Sequence, residues 1–119
     1  MVKILYVEDN IDTAEAVKMF LSNAGFEIDL AHNGKDALKL AQKTYDVILL
    51  DIMLPDMSGW DIYETLKKKK GNTRFAFLSA IPVSAERMAE LKKAGVSDYI
   101  TKPFTKADLI SRIIKMVKK

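Results

Sequence analysis

Acidic, hydroxyl and ammonium side chains stand where successive apolar runs of this sequence end. Glu8 and Asp9 follow the first run, Asp51 the third, Ser79 the fourth and Lys102 the fifth. Carboxylate oxygens without histidine or cysteine partners are the ligands that Mg²⁺ and Mn²⁺ prefer. An aspartate can also attack phosphorus to form an acyl phosphate, while a metal ion and a lysine neutralise the phosphoryl oxygens. These residue types therefore indicate metal-assisted phosphoryl transfer onto Asp51, provided that the fold brings them together.

The charges of these residues limit how they can share one site. Three carboxylates at close range would drive one of them to take up a proton unless a cation intervened. Lys102 is one candidate cation and a divalent ion is the other, and Ser79 can donate a hydrogen bond to the same phosphoryl group. The alternative is that each acid is a solvated residue at a strand end. That is usual for a single aspartate, but here the polar residues at four strand ends would all have to be solvated residues without a shared role.

Short apolar runs alternate with amphipathic patterns along the whole chain. The runs that predict strands are Lys3–Val7, Phe26–Leu30, Val47–Leu50, Arg74–Leu78 and Asp98–Thr101. Helix starts are predicted at Asp12 with Glu15, at Asn33, at Ser58 with Asp61, at Ser84, and at Thr105 with Asp108. The alternation predicts an α/β fold, a doubly wound five-stranded parallel sheet with five helices on its two faces. In the order 2-1-3-4-5, the carboxyl ends of strands 1, 3, 4 and 5 converge and strand 2 lies at an edge.

Length and composition narrow the classes of protein that remain. The 119 residues are enough for one domain, residues 1–119, and too few for two. The absence of cysteine excludes disulfides and thiolate metal sites. No apolar run approaches the ~20 residues that cross a bilayer, and the acids at positions 8 and 9 come too soon for a signal peptide. We therefore expect a cytoplasmic protein with no membrane partner.

The net charge of +3 arises largely from two lysine clusters. One is Lys67–Lys70, and the other comprises Lys115, Lys118 and Lys119. Both fall at predicted helix ends, where cations suit the negative end of the helix dipole. Because no arginine-rich or aromatic stripe accompanies them, we expect no direct nucleic-acid binding.

Four stretches of the sequence carry a family resemblance. They are Ile4–Asn10 (ILYVEDN), Asp51–Gly59 (DIMLPDMSG), Leu78–Ala80 (LSA) and Thr101–Phe104 (TKPF). In type and order they resemble the receiver domains of two-component response regulators, in particular single-domain regulators of the chemotaxis type. The likeness covers almost all of the chain. It implies a flavodoxin-like fold and a phosphorylation-dependent signalling switch in a two-component phosphorelay.

The resemblance also implies individual roles at the site. Asp51 is the phosphoryl acceptor and a metal ligand, and Lys102 binds the phosphoryl group. Asp9 binds Mg²⁺, or alternatively Mn²⁺, directly, whereas Glu8 acts largely through a coordinated water. Met53 contributes its backbone carbonyl to the metal. Glu8 stands where the family often has aspartate, so the geometry of the metal and its water is expected to be looser.

Two residues are implied to transmit the signal. Ser79 is the switch hydroxyl, at a position where threonine is commoner, and Tyr99 is the aromatic that changes rotamer on activation. On phosphorylation Ser79 would be drawn toward the phosphoryl group, the loop after strand 4 would move, and Tyr99 would fill the vacated space. These movements would remodel the face made by helix 4, strand 5 and helix 5, which a downstream protein reads. The alternative for Tyr99 is a fixed core aromatic. The Lys102-Pro103 peptide is implied to be cis, as X-Pro bonds at tight turns can be.

The implied phosphoryl donor is a histidine kinase or a phosphotransfer protein. The chain would catalyse its own Mg²⁺-dependent phosphorylation without being a turnover enzyme. Met53 and Ile81, two residues after Asp51 and Ser79, cannot orient an attacking water, which predicts slow self-dephosphorylation. No output domain follows in this sequence, so we expect the signal to leave by protein contact. The expected species is a monomer or a weak, phosphorylation-promoted dimer.

Three other classes of protein compete with this interpretation. A flavin- or nucleotide-binding protein of similar topology would hold phosphate on a glycine-rich loop, but the first loop here is acidic and neither G-x-G-x-x-G nor G-x-x-x-x-G-K occurs. A hydrolase would need an amide or a carboxylate to activate water beside Asp51. A metal-independent interaction module that retains the fold is the third alternative.

Overall fold

Five strands and five helices alternate in the computed structural model, which describes residues 1–69 and 71–118. The strands are Lys3–Val7 (β1), Glu27–Ala31 (β2), Val47–Asp51 (β3), Arg74–Ser79 (β4) and Asp98–Thr101 (β5). The helices are Ile11–Asn23 (α1), Gly34–Leu40 (α2), Gly59–Leu66 (α3), Ala85–Lys93 (α4) and Lys106–Val117 (α5). All neighbouring strands pair in parallel, in the order β2-β1-β3-β4-β5. The predicted fold class and strand order are confirmed.

Two hydrophobic cores cover the two faces of the sheet. The first core packs side chains such as Leu5 and Ile48 against α2, α3 and α4. The second packs Ile4 and Leu49 against α1 and α5. Every residue of β3 is buried, as expected for a central strand of a parallel sheet with both faces covered.

The alternation of side chains along each strand decides which face carries each candidate residue. In the core beneath α1 and α5, the inward side chains nearest the carboxyl ends of β1, β3 and β5 are Tyr6, Leu49 and Ile100. Two positions further along these strands stand Glu8, Asp51 and Lys102, which therefore emerge on this same face. Ser79 and Tyr99 have the opposite parity and lie on the side of α3 and α4. The charged residues and the implied switch residues are thus separated by the plane of the sheet.

β2 begins one residue later than the predicted Phe26. The end of α1 is a Schellman motif, in which the amide of Phe26 donates to the carbonyl of Leu21 at 3.2 Å and that of Gly25 to Ser22 at 3.0 Å. Gly25 has a φ of 97°, which glycine adopts without a steric penalty. Phe26 therefore completes the helix end, and Glu27 is the first residue to pair with β1.

The predicted capping box of Asp12 and Glu15 is wrong. The N-cap of α1 is Asn10, whose side chain accepts a hydrogen bond from the amide of Thr13 at 2.9 Å. The helix thus begins directly after the acidic pair and turns its positive end toward Asp9. The predicted caps of the other helices are confirmed at Asn33, Ser58, Ser84 and Thr105.

Two helix predictions differ from the structure in detail. α3 ends at Leu66, before the lysine run, and not within it; Lys70 and Lys119 lie outside the described residues. The sequence predicts an apolar stripe on α5 that comprises Leu109, Ile110, Ile113, Ile114 and Val117. Ile114 is instead 39% exposed, while Met116, which lies outside the predicted stripe, is buried. The core contacts of α5 recur at spacings of four and three residues, which selects Met116 and leaves Ile114 at the edge.

Candidate metal and phosphoryl-transfer site

Glu8 is a deeply buried carboxylate at the end of β1. Its amide donates to the carbonyl of Ala31 at 2.9 Å, which continues the pairing of β1 with β2 and keeps the side chain on the face beneath α1 and α5. Its Oε1 accepts hydrogen bonds from Lys102 Nζ at 2.7 Å and from the Tyr6 hydroxyl at 3.0 Å. Its Oε2 accepts one from the amide of Asn10 at 3.2 Å. A buried charge is costly unless it is paired and hydrogen-bonded, so these three donors explain how Glu8 is tolerated.

Lys102 joins the ends of three strands. Its Nζ donates to Glu8 Oε1 at 2.7 Å and to Asp51 Oδ2 at 3.0 Å. Its amide donates to the carbonyl of Ser79 at 2.7 Å, which continues the pairing of β5 with β4, and its peptide bond to Pro103 is cis. The acids of the first and third strands and the lysine of the fifth therefore meet at one place, as the sequence predicts.

The shared lysine affects the two buried carboxyl groups differently. Burial disfavours the ionised form of Glu8, but the hydrogen bonds from Lys102 and from the amide of Asn10, together with the charge of Lys102, outweigh burial and hold its pKa below the usual value. For Asp51, burial together with the neighbouring Glu8 carboxylate outweighs the attraction of Lys102 and raises the pKa. Burial opposes the charge of Lys102 as well, but the hydrogen bonds to both acids raise its pKa. One ammonium group therefore does not fully compensate the negative charge of two buried carboxylates.

Asp9 completes an acidic cluster whose donor set fits a hard divalent cation. One carboxylate oxygen from each of Glu8, Asp9 and Asp51 lies within 4.8 Å of the other two, with Asp9 exposed at the mouth and the other two buried. Opposite ligands of an octahedral Mg²⁺ are about 4 Å apart, so carboxylates at this spacing can share one ion, either directly or through a coordinated water. When all three acids are ionised, Lys102 compensates one negative charge and a divalent cation would balance the other two.

The loop that follows Asp51 folds back tightly against the start of α3. The amide of Met53 donates to Asp51 Oδ1 at 3.1 Å, and the amide of Gly59 donates to the carbonyl of Ile52 at 2.8 Å. A β-carbon on Gly59 would overlap the backbone carbonyl oxygen of Asp51. The glycine therefore allows the first turn of α3 to approach the backbone of Asp51.

We expect the substitution Gly59→Ala to lower the free energy of unfolding by about 2 kcal/mol, because the added methyl group must displace backbone atoms. Urea unfolding measures this effect. The matched control is Gly71→Ala, since an added β-carbon there meets nothing within 4 Å, and its effect should stay within about 0.5 kcal/mol. Equal losses in the two variants would contradict the close approach.

Ser79 and Tyr99 are linked through the backbone of Ile81. The hydroxyl of Ser79 accepts a hydrogen bond from the amide of Ile81 at 3.1 Å, and the Tyr99 hydroxyl donates to the carbonyl of Ile81 at 2.6 Å. Both side chains are buried, at 5% exposure each. A movement of the loop after β4 would therefore change the hydrogen bonds of both residues together. Tyr99 already lies inward in this structure, which is the position that it is expected to fill when the loop after β4 moves.

Three polar side chains near the site are not part of the predicted set. Tyr6 contacts the carboxylate of Glu8, as described above. His32, for which the sequence indicates no role, has its Nδ1 2.9 Å from the backbone carbonyl of Glu8. Asp56 caps α2, where its carboxylate accepts from the amide of Gly34 at 2.7 Å and from the next amide at 2.9 Å. The sequence could have indicated the contact of Tyr6, because Tyr6 stands two residues before Glu8 in the same strand. The contacts of His32 and Asp56 depend on loops that come together only in the fold.

A cleft of about 990 Å³ lies far from this cluster, at the amino ends of β4 and β5. Several lysines line it together with Arg112, whose guanidinium is already paired with Asp98 at 2.9 Å and with Asp108 at 3.1 Å. None of the residues that line this cleft belongs to the acidic cluster. The cleft is therefore separate from the acidic cluster.

A parallel sheet of order 2-1-3-4-5 with acids and a lysine at its carboxyl edge defines a flavodoxin-like domain with a candidate cation site. The chain belongs to the response regulator receiver domain family, since a sequence model of that domain matches residues 4–114. It is 39% identical over 118 residues to the transcriptional regulatory protein CusR of Escherichia coli strain K12, covering 98% of this chain and 52% of that protein. These domains act as signalling switches controlled by phosphorylation.

Solved structures agree with this assignment. The receiver domain of the Francisella response regulator 1452 has a TM-score of 0.88 at 35% identity, over 99% of this chain and 98% of that one. The chemotaxis response regulator CheY4 of Vibrio cholerae has a TM-score of 0.86 at 30% identity, over 98% of both chains. The resemblance predicted from the four sequence stretches is thus confirmed.

The chain spans about half the length of the curated relatives that it matches. Among the described residues, no helix is both long enough and apolar enough to cross a bilayer.

Proposed function

We propose that Asp51 accepts a phosphoryl group from a phosphohistidine donor, with a divalent cation held beside it by the acidic cluster. The observation that carries this proposal is the convergence of three strand ends, with Lys102 Nζ 3.0 Å from Asp51 and 2.7 Å from Glu8. Asp51 would act as nucleophile because its carboxylate lies beside both the ammonium group of Lys102 and the other two acids of the cluster. The donor would be a histidine kinase or a phosphotransfer protein, the partners that receiver domains use.

The transfer is balanced by one bond made and one bond broken. An Oδ atom of Asp51 forms the new P–O bond while the P–N bond of phosphohistidine breaks. The electron pair stays on the imidazole nitrogen, which takes a proton from solvent. Lys102 needs only to turn from the two carboxylates toward the phosphoryl oxygens, because it already lies within hydrogen-bonding distance of Asp51.

The residues fitted to hold the cation are Asp9 and Asp51 directly, Glu8 through a water, and Met53 through its backbone carbonyl. Mg²⁺ is the proposed ion and Mn²⁺ a substitute, since the side-chain donors are all oxygens. When bound, the ion supplies positive charge beside the phosphoryl oxygens. Asp9 would be the first acid to contact an ion that enters from solvent, because Asp9 is exposed and the other two acids are buried.

The signal would spread through the loop after β4. A phosphoryl group adds about 1.5–2 negative charges and three acceptor oxygens, which would draw the Ser79 hydroxyl away from the amide of Ile81. Since the carbonyl of Ile81 also accepts the hydrogen bond of the Tyr99 hydroxyl, the same movement would vacate space that the tyrosine fills and would remodel the face of α4, β5 and α5. A downstream protein that prefers one arrangement of this face would read the state, with the chain a monomer or a weak dimer. Some of the relatives are named as transcriptional regulators, and this chain spans about half of their length.

Incubation of the purified chain with acetyl phosphate and MgCl₂ tests the proposed function. Intact-protein mass spectrometry should detect the addition of one phosphoryl group per chain, and EDTA should prevent it. A folded chain that gains no phosphoryl group, or gains it equally well in EDTA, would favour a metal-independent interaction module instead.

We expect the phosphorylated chain to lose its phosphoryl group slowly. Met53 and Ile81, whose side chains are 70% and 62% exposed, flank the site and offer no group that can orient a water. The substitution Met53→Asn adds an amide and should shorten the lifetime roughly five-fold or more, the effect of one added hydrogen bond of about 1 kcal/mol in the transition state. The lifetime is measured by mass spectrometry after removal of the donor.

The control for this prediction is Met19→Asn, which changes a similarly exposed methionine on α1. It should leave the lifetime unchanged. If the unaltered chain resets as fast as the Met53→Asn variant, Met53 does not limit access or alignment of water.

A further inference from the structure

The hydroxyl of Tyr6 differs from the other two donors to the Glu8 carboxylate, because it belongs neither to the loop nor to the lysine of the site. Tyr6 is fully buried in β1, and its hydroxyl donates to Glu8 Oε1 at 3.0 Å. The two residues stand two positions apart along a strand, so their side chains leave on the same face. The length of the phenol then carries its hydroxyl forward to the level of the carboxylate.

Glu8 needs such support more than an aspartate would. A glutamate has one more rotatable bond, so holding its carboxylate in one place costs additional conformational entropy. Its Oε1 is held by Tyr6 and Lys102, while Oε2 accepts the longer bond from the amide of Asn10 at 3.2 Å. Lys102 is expected to turn toward the phosphoryl group during the reaction, which would leave Tyr6 as the remaining fixed support of Oε1.

We propose that Tyr6 is a positioning residue for the cation site. Its buried hydroxyl fixes the Oε1 atom of Glu8, so that the carboxylate is placed beside Asp9 and Asp51 before a divalent cation arrives. This inference rests on the proposed function only in requiring that the cluster binds Mg²⁺. It does not require that Asp51 is phosphorylated.

The substitution Tyr6→Phe removes the hydroxyl and keeps the ring that fills the core. We expect the dissociation constant for Mg²⁺ to rise roughly five-fold, the effect of one hydrogen bond to a charged group that is lost in part to solvent. Isothermal titration of the metal-free full chain with MgCl₂ measures it, and the fluorescence of Trp60, which follows the Asp51 loop, gives an independent reading.

A matched control separates this effect from the general loss of a tyrosine hydroxyl. Tyr45 is buried like Tyr6, and its hydroxyl donates to the carboxylate of Asp29 at 2.6 Å, outside the acidic cluster. Tyr45→Phe therefore removes the same kind of hydrogen bond and should leave the affinity for Mg²⁺ unchanged. Thermal unfolding of both variants establishes that they are folded.

The decisive comparison repeats Tyr6→Phe in a chain that carries Glu8→Asp. The shorter side chain withdraws the carboxylate by about 1.5 Å, the length of one C–C bond, so the hydroxyl can no longer reach it. The loss caused by Tyr6→Phe should then disappear, whereas a merely structural role of Tyr6 would give the same loss in both backgrounds.

Each outcome decides the inference. A five-fold loss in the chain that retains Glu8, and none in the chain that carries Glu8→Asp, supports it. An unchanged affinity in Tyr6→Phe, or an equal loss in both backgrounds, overturns it while leaving the proposed function intact. If the unaltered chain does not bind Mg²⁺ at all, both the inference and the proposed function fail.

Discussion

Replacing Asp51 by asparagine should abolish phosphoryl labelling by acetyl phosphate and Mg²⁺, with a loss of at least about 100-fold. The amide has nearly the shape of the carboxylate but carries no negative charge and is a very poor nucleophile. The measurement is intact-protein mass spectrometry of Asp51→Asn beside the unaltered chain. Asp56→Asn is the matched control, because Asp56 lies in the same loop but binds the amides that open α2. It should be labelled normally.

The Asp51→Asn variant should also remain folded, and its metal-free form should be more stable than the metal-free unaltered chain. Burial and the Glu8 carboxylate raise the pKa of Asp51 in the folded state, so its ionisation at neutral pH opposes folding. Removing that charge should add about 1 kcal/mol and raise the melting temperature by roughly 4 °C. Labelling that persists at another residue of a folded variant would defeat the assignment of Asp51.

Replacing Lys102 by methionine should destabilise the metal-free chain by about 2 kcal/mol near neutral pH. Methionine keeps much of the apolar stem but leaves Glu8 and Asp51 buried side by side without their shared ammonium. Breaking a buried pair costs several kcal/mol, and the partial exposure of Lys102, 25%, reduces that cost here. Urea unfolding measures the change. Lys106→Met, at an exposed position on α5, is the control and should change stability by less than about 0.5 kcal/mol.

The dependence on pH and metal distinguishes this electrostatic cause from lost packing. In the unaltered chain the pKa of Glu8 is lowered, so its contribution to stability is present above its unfolded pKa and is lost as pH falls through the folded value. Without Lys102 the ionised acids repel each other, so the deficit of Lys102→Met should shrink toward about pH 4 as they take up protons. At about pH 7.5, MgCl₂ should restore much of the stability by supplying the missing positive charge. A deficit that is equal at both pH values and insensitive to MgCl₂ would indicate a packing effect.

Much of the site could be predicted because the strands are regular. Once the runs ending near Val7, Leu50 and Thr101 are taken as neighbouring parallel strands, their period of two residues places Glu8, Asp51 and Lys102 on one face. Chemistry then follows from residue type, because oxygen ligands and a lysine suit a divalent cation and a phosphoryl group. The individual roles of these residues stay predictions that the experiments above address.

The features that the sequence did not reveal depend on local competition or on contacts between distant loops. Phe26 is an apolar residue of a type that is common in strands, but its amide donates to the carbonyl of Leu21 in the Schellman motif that ends α1. Asn10 competes with Asp12 for the helix start, and either side chain is a good cap. The contact of His32 with the Glu8 carbonyl arises because β2 pairs with β1, and no short-range pattern marks it.

A crystal structure of the chain with MgCl₂ and beryllium trifluoride, a mimic of the phosphoryl group, would show whether Asp51 accepts the group beside a metal ion that the same acids hold. We expect one ion bound by Asp9, Asp51 and the carbonyl of Met53, beryllium attached to an Oδ atom of Asp51, and Lys102 Nζ turned onto a fluoride. Beryllium fluoride bound elsewhere, or an ion that leaves Asp51 unliganded, would contradict this expectation.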